Sequence, residues 1–168
     1  MYRALSMSVM VFAIVLAYGP TRAQDDAKKK PSEGRFGYKV DEELYPQKAP
    51  AEAMKAIVTA IDRKRVDYLL AQLADPAYVD YWIDQYKKEV ALGADEGKRL
   101  IAFNRLTRET TQYFQNDPLI VKDLRVFARE AKWSDEGDTA IGVVETIPAR
   151  KVYLKKIGER WFLENRQQ

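Results

Sequence analysis

Past residue 50 the apolar residues recur first at helical spacing and then, near the C-terminus, at the alternating spacing of strands. Ala53, Ile57, Ala60 and Ile61 share one helical face. Pro50 suits the first turn of that helix, and Glu52 favours its positive end. Arg63-Lys64-Arg65 interrupts the pattern, and Val66, Leu69, Leu70 and Leu73 predict a second, shorter helix. Asp75-Pro76 pairs an N-cap with a first-turn proline. The helix it opens carries Tyr78, Tyr81, Trp82, Ile83, Tyr86 and Val90, and Gly93 ends it. A fourth helix starts near Asp95 with Leu100, Ile101, Phe103, Leu106, Thr110, Tyr113 and Phe114. Asn116-Asp117-Pro118 predicts a stop and a turn.

After that turn the period shortens to two. Leu124, Val126 and Ala128 alternate with Asp123, Arg125 and Arg129, which predicts a strand. Asp135-Glu136-Gly137-Asp138 reads as a hairpin turn into β-rich residues 139–147, which Pro148 ends. Val152, Tyr153 and Leu154 make a third strand, and Trp161, Phe162 and Leu163 a fourth after Gly158-Glu159. A two-residue turn there sets Leu154 opposite Leu163 and Lys156 opposite Trp161. Val152, Leu154, Trp161 and Leu163 then share one face, directed at the helices. Helices followed by an antiparallel meander predict an α+β fold, with N-terminal helices packed against a curved sheet of about four strands.

The first residues follow different rules. Arg3, the apolar run from Val9 to Leu16, and Thr21 and Ala23 ahead of Gln24 form the three-part pattern of a signal peptide over residues 1–23. Its apolar stretch is short for a membrane span. The expectation is export to the periplasm or beyond, with no membrane association after cleavage; the rival is an uncleaved anchor. Residues 24–48 hold Lys28-Lys29-Lys30, Pro31 and Asp41-Glu42-Glu43 with no apolar period, and read as a flexible charged linker. Phe36, Tyr38, Leu44 and Tyr45 are its exceptions, able to clip part of it onto a single domain over residues 49–168.

Composition narrows the chemistry. The sequence contains no Cys and no His, which excludes disulfides, Cys/His zinc sites and any imidazole-based triad. A net charge of +3 argues against a dedicated nucleic-acid binder. There is no phosphate-binding glycine loop, no nucleophile elbow and no metal-ligand spacing, so no cofactor and no metal is expected.

Several motifs carry a family resemblance. The turn Gly137-Asp138-Thr139-Ala140 enters an apolar strand, and Val152-x-Leu154-x-Lys156-x-Gly158-x-x-Trp161-x-Leu163 follows. Ahead of them stands the helix opened by Pro50, with its Ala53 to Ala60 face and Asp62 near its end. Over roughly residues 50–168 these resemble small exported bacterial members of the nuclear transport factor 2-like superfamily. The resemblance implies a cone of curved antiparallel sheet around helices, a pocket at its mouth, and dimers formed back to back through the sheet. That superfamily spans isomerases, dehydratases, cyclases and adaptor proteins, so fold alone chooses no function. Its enzymes typically place a His, an Asp or an Asp/Tyr pair in the cone, and this chain has no His.

Two constellations are candidate sites. Asp62 and Asp67 flank three bases, where a buried carboxylate would be a general base and a solvated one merely a turn. Tyr78, Tyr81, Trp82 and Tyr86 form an aromatic stripe that either lines a pocket or packs as core. The candidate pocket is therefore Tyr78, Tyr81, Trp82, Tyr86 and Asp62. Asp135, Glu136 and Asp138 lack the further ligands of a calcium loop and read as a solvated turn. Residues 148–168 carry a net +4 and residues 75–96 a net −4, an asymmetry suited either to an anionic partner or to a protected edge hairpin. Both parities of residues 139–147 are apolar, and Tyr153 and Phe162 lie opposite the core face. Such an outer face asks for cover by the linker, the C-terminal tail or a second copy, hence an expected homodimer through the sheet. The expected function is an exported, non-catalytic domain binding a small ligand, a peptide or a protein. The alternative is a His-free isomerase- or cyclase-type enzyme using Tyr and Asp.

Overall fold

A computed structural model describes residues 34–90 and 94–166. The signal peptide expected over residues 1–23, the start of the linker and Gly93 lie outside the described residues. The elements run α1 (Pro50–Asp62), α2 (Val66–Tyr68) continuing into a π-helical turn (Leu69–Leu73), α3 (Pro76–Glu89), α4 (Asp95–Asn116), α5 (Pro118–Glu130), β1 (Lys132–Glu136), β2 (Thr139–Val143), β3 (Lys151–Ile157) and β4 (Arg160–Glu164). The strands form one open antiparallel sheet in the order β1-β2-β3-β4. The fold is α+β, helices first and sheet last.

Local chemistry explains most boundaries. Arg63 closes α1 and Lys64 takes a left-handed φ of 58°, turning the chain into α2. All five residues of the π-helical turn are buried, so no face of it meets solvent. Asp75 caps α3 by accepting a hydrogen bond from the Ala77 N–H at 3.1 Å. Asp117 does the same for α5, accepting from Leu119 at 3.2 Å and Ile120 at 3.3 Å.

That second cap corrects the sequence reading. Residues 118–130 form a helix and not a strand. A short alternation around Leu124, Val126 and Ala128 fits a wide helical face as well as a strand. The Asp117-Pro118 cap and the packing of Leu124, Phe127 and Ala131 on the core beside α1 decide for the helix. The first strand is instead Lys132–Glu136, whose single apolar residue, Trp133, gives no alternation to read. Trp133 stands opposite Gly142, where a Cβ would meet the indole ring at 2.9 Å. The glycine is there because the ring needs its space.

The last hairpin has the expected register, Leu154 opposite Leu163 and Lys156 opposite Trp161. Val152, Leu154 and Trp161 are buried in one core with Met54, Ile57 and Leu73 of the helices. A second core joins Leu70, Val79, Ile83, Phe103 and Leu106.

The linker reading needs correction over its described part. Residues 34–48 are packed along the domain as a strap. Phe36 stacks on Phe103 at 4.2 Å, Tyr45 stacks on Tyr68 at 4.2 Å, and Arg35 pairs with Asp80 at 2.7 Å. Gln47 closes the free edge of β4: its carbonyl accepts from the Trp161 N–H at 2.9 Å and its side chain donates to the Trp161 carbonyl at 2.7 Å. Few residues of the strap are apolar, and those few supply the attachment.

The outer face of the sheet is largely covered within the chain. Phe162 is fully buried, with the Arg160 guanidinium 5.0 Å above its ring. Arg166 of the tail stacks 4.7 Å from Tyr153. Phe36 and Tyr38 pack on Phe103 of α4, at 4.2 and 6.1 Å between ring centroids. Among the described residues, Val143, at 41% exposure, is the large apolar side chain this face leaves exposed.

Candidate functional site

Where the two cores meet, the helices and the sheet do not close on each other. They leave an open cleft of about 550 Å³. Tyr78, Trp82 and Tyr86 of α3 form one wall, four residues apart and so on one helical face. Leu106, Glu109, Thr110, Tyr113 and Phe114 of α4 form the next, with Ile120 and Leu124 of α5 beyond them. Val152 of β3, Leu163 of β4 and the tail residues Asn165 and Arg166 face them across the gap. The π-helical turn supplies the floor through Leu69 and Leu70. Such turns recur at functional sites because the extra residue per turn redirects side chains.

The sequence candidates divide. Tyr78, Trp82 and Tyr86 are brought together on the cleft wall. Tyr81 is not: it lies on the outer flank of α3, 57% exposed, with its ring edge-on to Trp82 at 5.5 Å. Among the described residues, a hollow beside Tyr81 is walled by α3 side chains alone. Asp62 is also elsewhere. It sits at the solvent end of α1, accepting from the Arg125 Nη2 at 2.7 Å and Nε at 3.1 Å. As an exposed carboxylate held by a guanidinium it is no buried base.

Sequence reasoning missed Glu109, and it met Thr110 only in the period of the fourth helix and not as a site residue. Glu109 ties the cleft wall together: one oxygen accepts the Tyr86 hydroxyl proton and the other accepts from Arg105 Nε at 2.8 Å. Arg105 also pairs with Glu89, and its guanidinium lies 4.2 Å from the Tyr86 ring. Burial, helped by the Glu109 carboxylate, pushes the Tyr86 phenol up to about 12. The hydrogen bonds from Tyr86 and then Arg105 hold Glu109 below the usual carboxylate range. The spacing from Leu106 to Glu109, Thr110 and Tyr113 was present in the sequence, but nothing there said which face of α4 met α3.

Among the described residues no group of three or more acidic side chains is placed to hold a metal ion. None of their helices is long and apolar enough to cross a membrane. Comparison of the chain with protein-family models, with curated proteins and with solved structures finds no match.

Proposed function

We propose that this chain is an exported, non-catalytic binding domain whose ligand site is the cleft between the α3–α4 walls and the sheet. The observation that carries this reading is the convergence of Tyr78, Trp82 and Tyr86 with Leu163 and Val152 around a largely apolar, open space. Its volume of about 550 Å³ falls in the range of small-molecule sites, roughly 300–1,000 Å³. Tyrosine and tryptophan give such a site apolar area together with hydrogen-bonding rims. A cleft between helices and sheet also suits the resemblance to the nuclear transport factor 2-like superfamily.

The protonation pattern favours binding over the isomerase or cyclase alternative. Tyr86 keeps its proton through the physiological range and gives it in a hydrogen bond to Glu109. Glu109, held ionised by two donors, is a weak proton acceptor. Neither is poised as a general base.

The test is saturable binding of the neutral dye Nile red, read by fluorescence. Thr110 is half-buried on a helix and lines the cleft, so Thr110→Trp fills the space from a tolerant position. The variant is expected to weaken dye binding by about tenfold or more. Tyr81→Ala should leave it unchanged. Equal binding by wild type and Thr110→Trp overturns the cleft as the site. Export has its own check in the intact mass of the protein from its native host. A form starting near Gln24 is expected, and a full-length cytoplasmic product overturns it.

A further inference from the structure

The two edges of the sheet are finished differently. On the β4 edge, Gln47 closes on both backbone groups of Trp161, and the Leu163 carbonyl accepts from the Asp75 N–H at 2.8 Å. β1 forms the other edge and, among the described residues, pairs with β2 alone. The register shows which of its backbone groups point outward. The Lys156 N–H donates to the Asp138 carbonyl at 2.8 Å, so the even-numbered residues of β3 bond toward β2. Ala140 and Gly142, opposite Leu154 and Val152, are then the β2 residues bonded to β3. Thr139, Ile141 and Val143 bond to β1, where their partners are Glu136, Ser134 and Lys132. Trp133 and Asp135 are left with N–H and C=O groups directed away from the sheet, and no described group hydrogen-bonds to them. The strand that carries them is exposed at every residue but the half-buried Trp133.

We propose that β1 pairs with β1 of a second copy of this chain, antiparallel and edge to edge, joining two four-stranded sheets into one. The sheet is extended through its edge; its outer faces do not stack. Charge selects the register. A two-fold axis at Ser134 sets Lys132 opposite Glu136 of the partner subunit, twice by symmetry, and Trp133 opposite Asp135 of the partner subunit. Trp133 and Asp135 carry the outward groups, so each of their two pairs exchanges both of its N–H···O bonds. Moving the axis to Asp135 sets two carboxylates face to face, and moving it to Trp133 pairs Lys132 with Ser134, without an opposite charge. Charge on an edge strand ordinarily keeps other strands away. In β1 the first and last residues have opposite signs, and an antiparallel copy turns them into pairs. Lys132 already pairs with Glu145, but both side chains are exposed, so the ammonium stays open to a second carboxylate.

Sedimentation equilibrium of the exported form at low ionic strength, from about 10 µM to about 1 mM, should show a monomer–dimer equilibrium, since so short an edge makes a small and weak interface. Over the same range the amide protons of Trp133 and Asp135 should pass from fast to slow hydrogen exchange, while that of Ser134 stays slow throughout. Asp135→Pro removes an outward N–H and keeps the β1–β2 bonds, so it should hold the wild-type urea midpoint and remain monomeric. Glu136→Lys leaves the backbone untouched and should weaken the dimer about tenfold, by turning two opposite-charge pairs into like-charge pairs. Adding Lys132→Glu reverses both ends and should return the dimer to within about threefold of the wild type. A strict monomer at the highest concentration, a dimer that survives Asp135→Pro, or slow exchange at Trp133 and Asp135 in dilute protein overturns the edge pairing. A dimer indifferent to Glu136→Lys overturns the register on Ser134. Should Asp135→Pro lose its fold, the exchange of Trp133 and Asp135 and the Glu136→Lys variant still decide.

Discussion

A chain beginning at Ala49 is expected to lose cooperative folding. Residues 34–48 look expendable by composition, yet they bury side chains the domain depends on. Tyr45 is 3% exposed and stacked on Tyr68, whose hydroxyl accepts a hydrogen bond from the Asp41 N–H at 2.9 Å. Phe36 lies flat on Phe103, the two rings 9° from parallel. Phe36 adopts a left-handed φ of 53° between Gly34 and Gly37, which are also left-handed. The cost of that conformation is offset by the stack. Truncating a buried aromatic costs about 3–5 kcal/mol. Losing Tyr45 and the half-buried Phe36 together, with the β4 edge uncovered, takes a large part of the stability of an ordinary domain, about 5–15 kcal/mol. Urea unfolding followed by circular dichroism checks this. A cooperative transition at the wild-type midpoint would show the strap to be an accessory. Tyr45→Ala in the full chain, expected to lower stability by about 3 kcal/mol, separates lost packing from lost length.

Trp161→Ala should have the largest effect of any single substitution on the sheet, a loss of about 3–5 kcal/mol. The indole is 3% exposed and packs with Leu154 and Val152 against Met54 and Ile57. Its backbone also holds Gln47 through both of its polar groups, so collapse around the cavity would disturb the strap. Denaturant midpoints at constant slope measure the loss. A loss under about 1 kcal/mol would place the indole outside the core. Tyr81→Ala is the control: on an exposed helix flank it should shift stability by no more than about 0.5 kcal/mol.

The candidate site was half legible in the sequence. Tyr78, Trp82 and Tyr86 are four residues apart on a helix whose start Asp75-Pro76 fixes, so their common face follows from helical geometry alone. Tyr81 belongs to the same helix but points off that face, a distinction of about 100° per residue that a loose stripe conceals. Asp62 was chosen for its neighbours in the chain, whereas its partner, Arg125, lies 63 residues away.

What the sequence by itself determined was local. The proline starts of α1 and α3, the Gly137 and Gly158 turns and the register of the last hairpin all follow from short-range dihedral preference and side-chain period. From these the α+β order follows. Tertiary structure decided the rest, in each case because the deciding contact is distant in the chain. Residues 118–130 are helical because a cap and the core beside α1 outweigh a three-step alternation. The strap is ordered because a few aromatics find ring partners 23 to 67 residues on, at Tyr68 and Phe103. The aromatic stripe borders a cleft and not only a core, because α3, α4 and the sheet meet without closing, and no period within one segment encodes the gap between three.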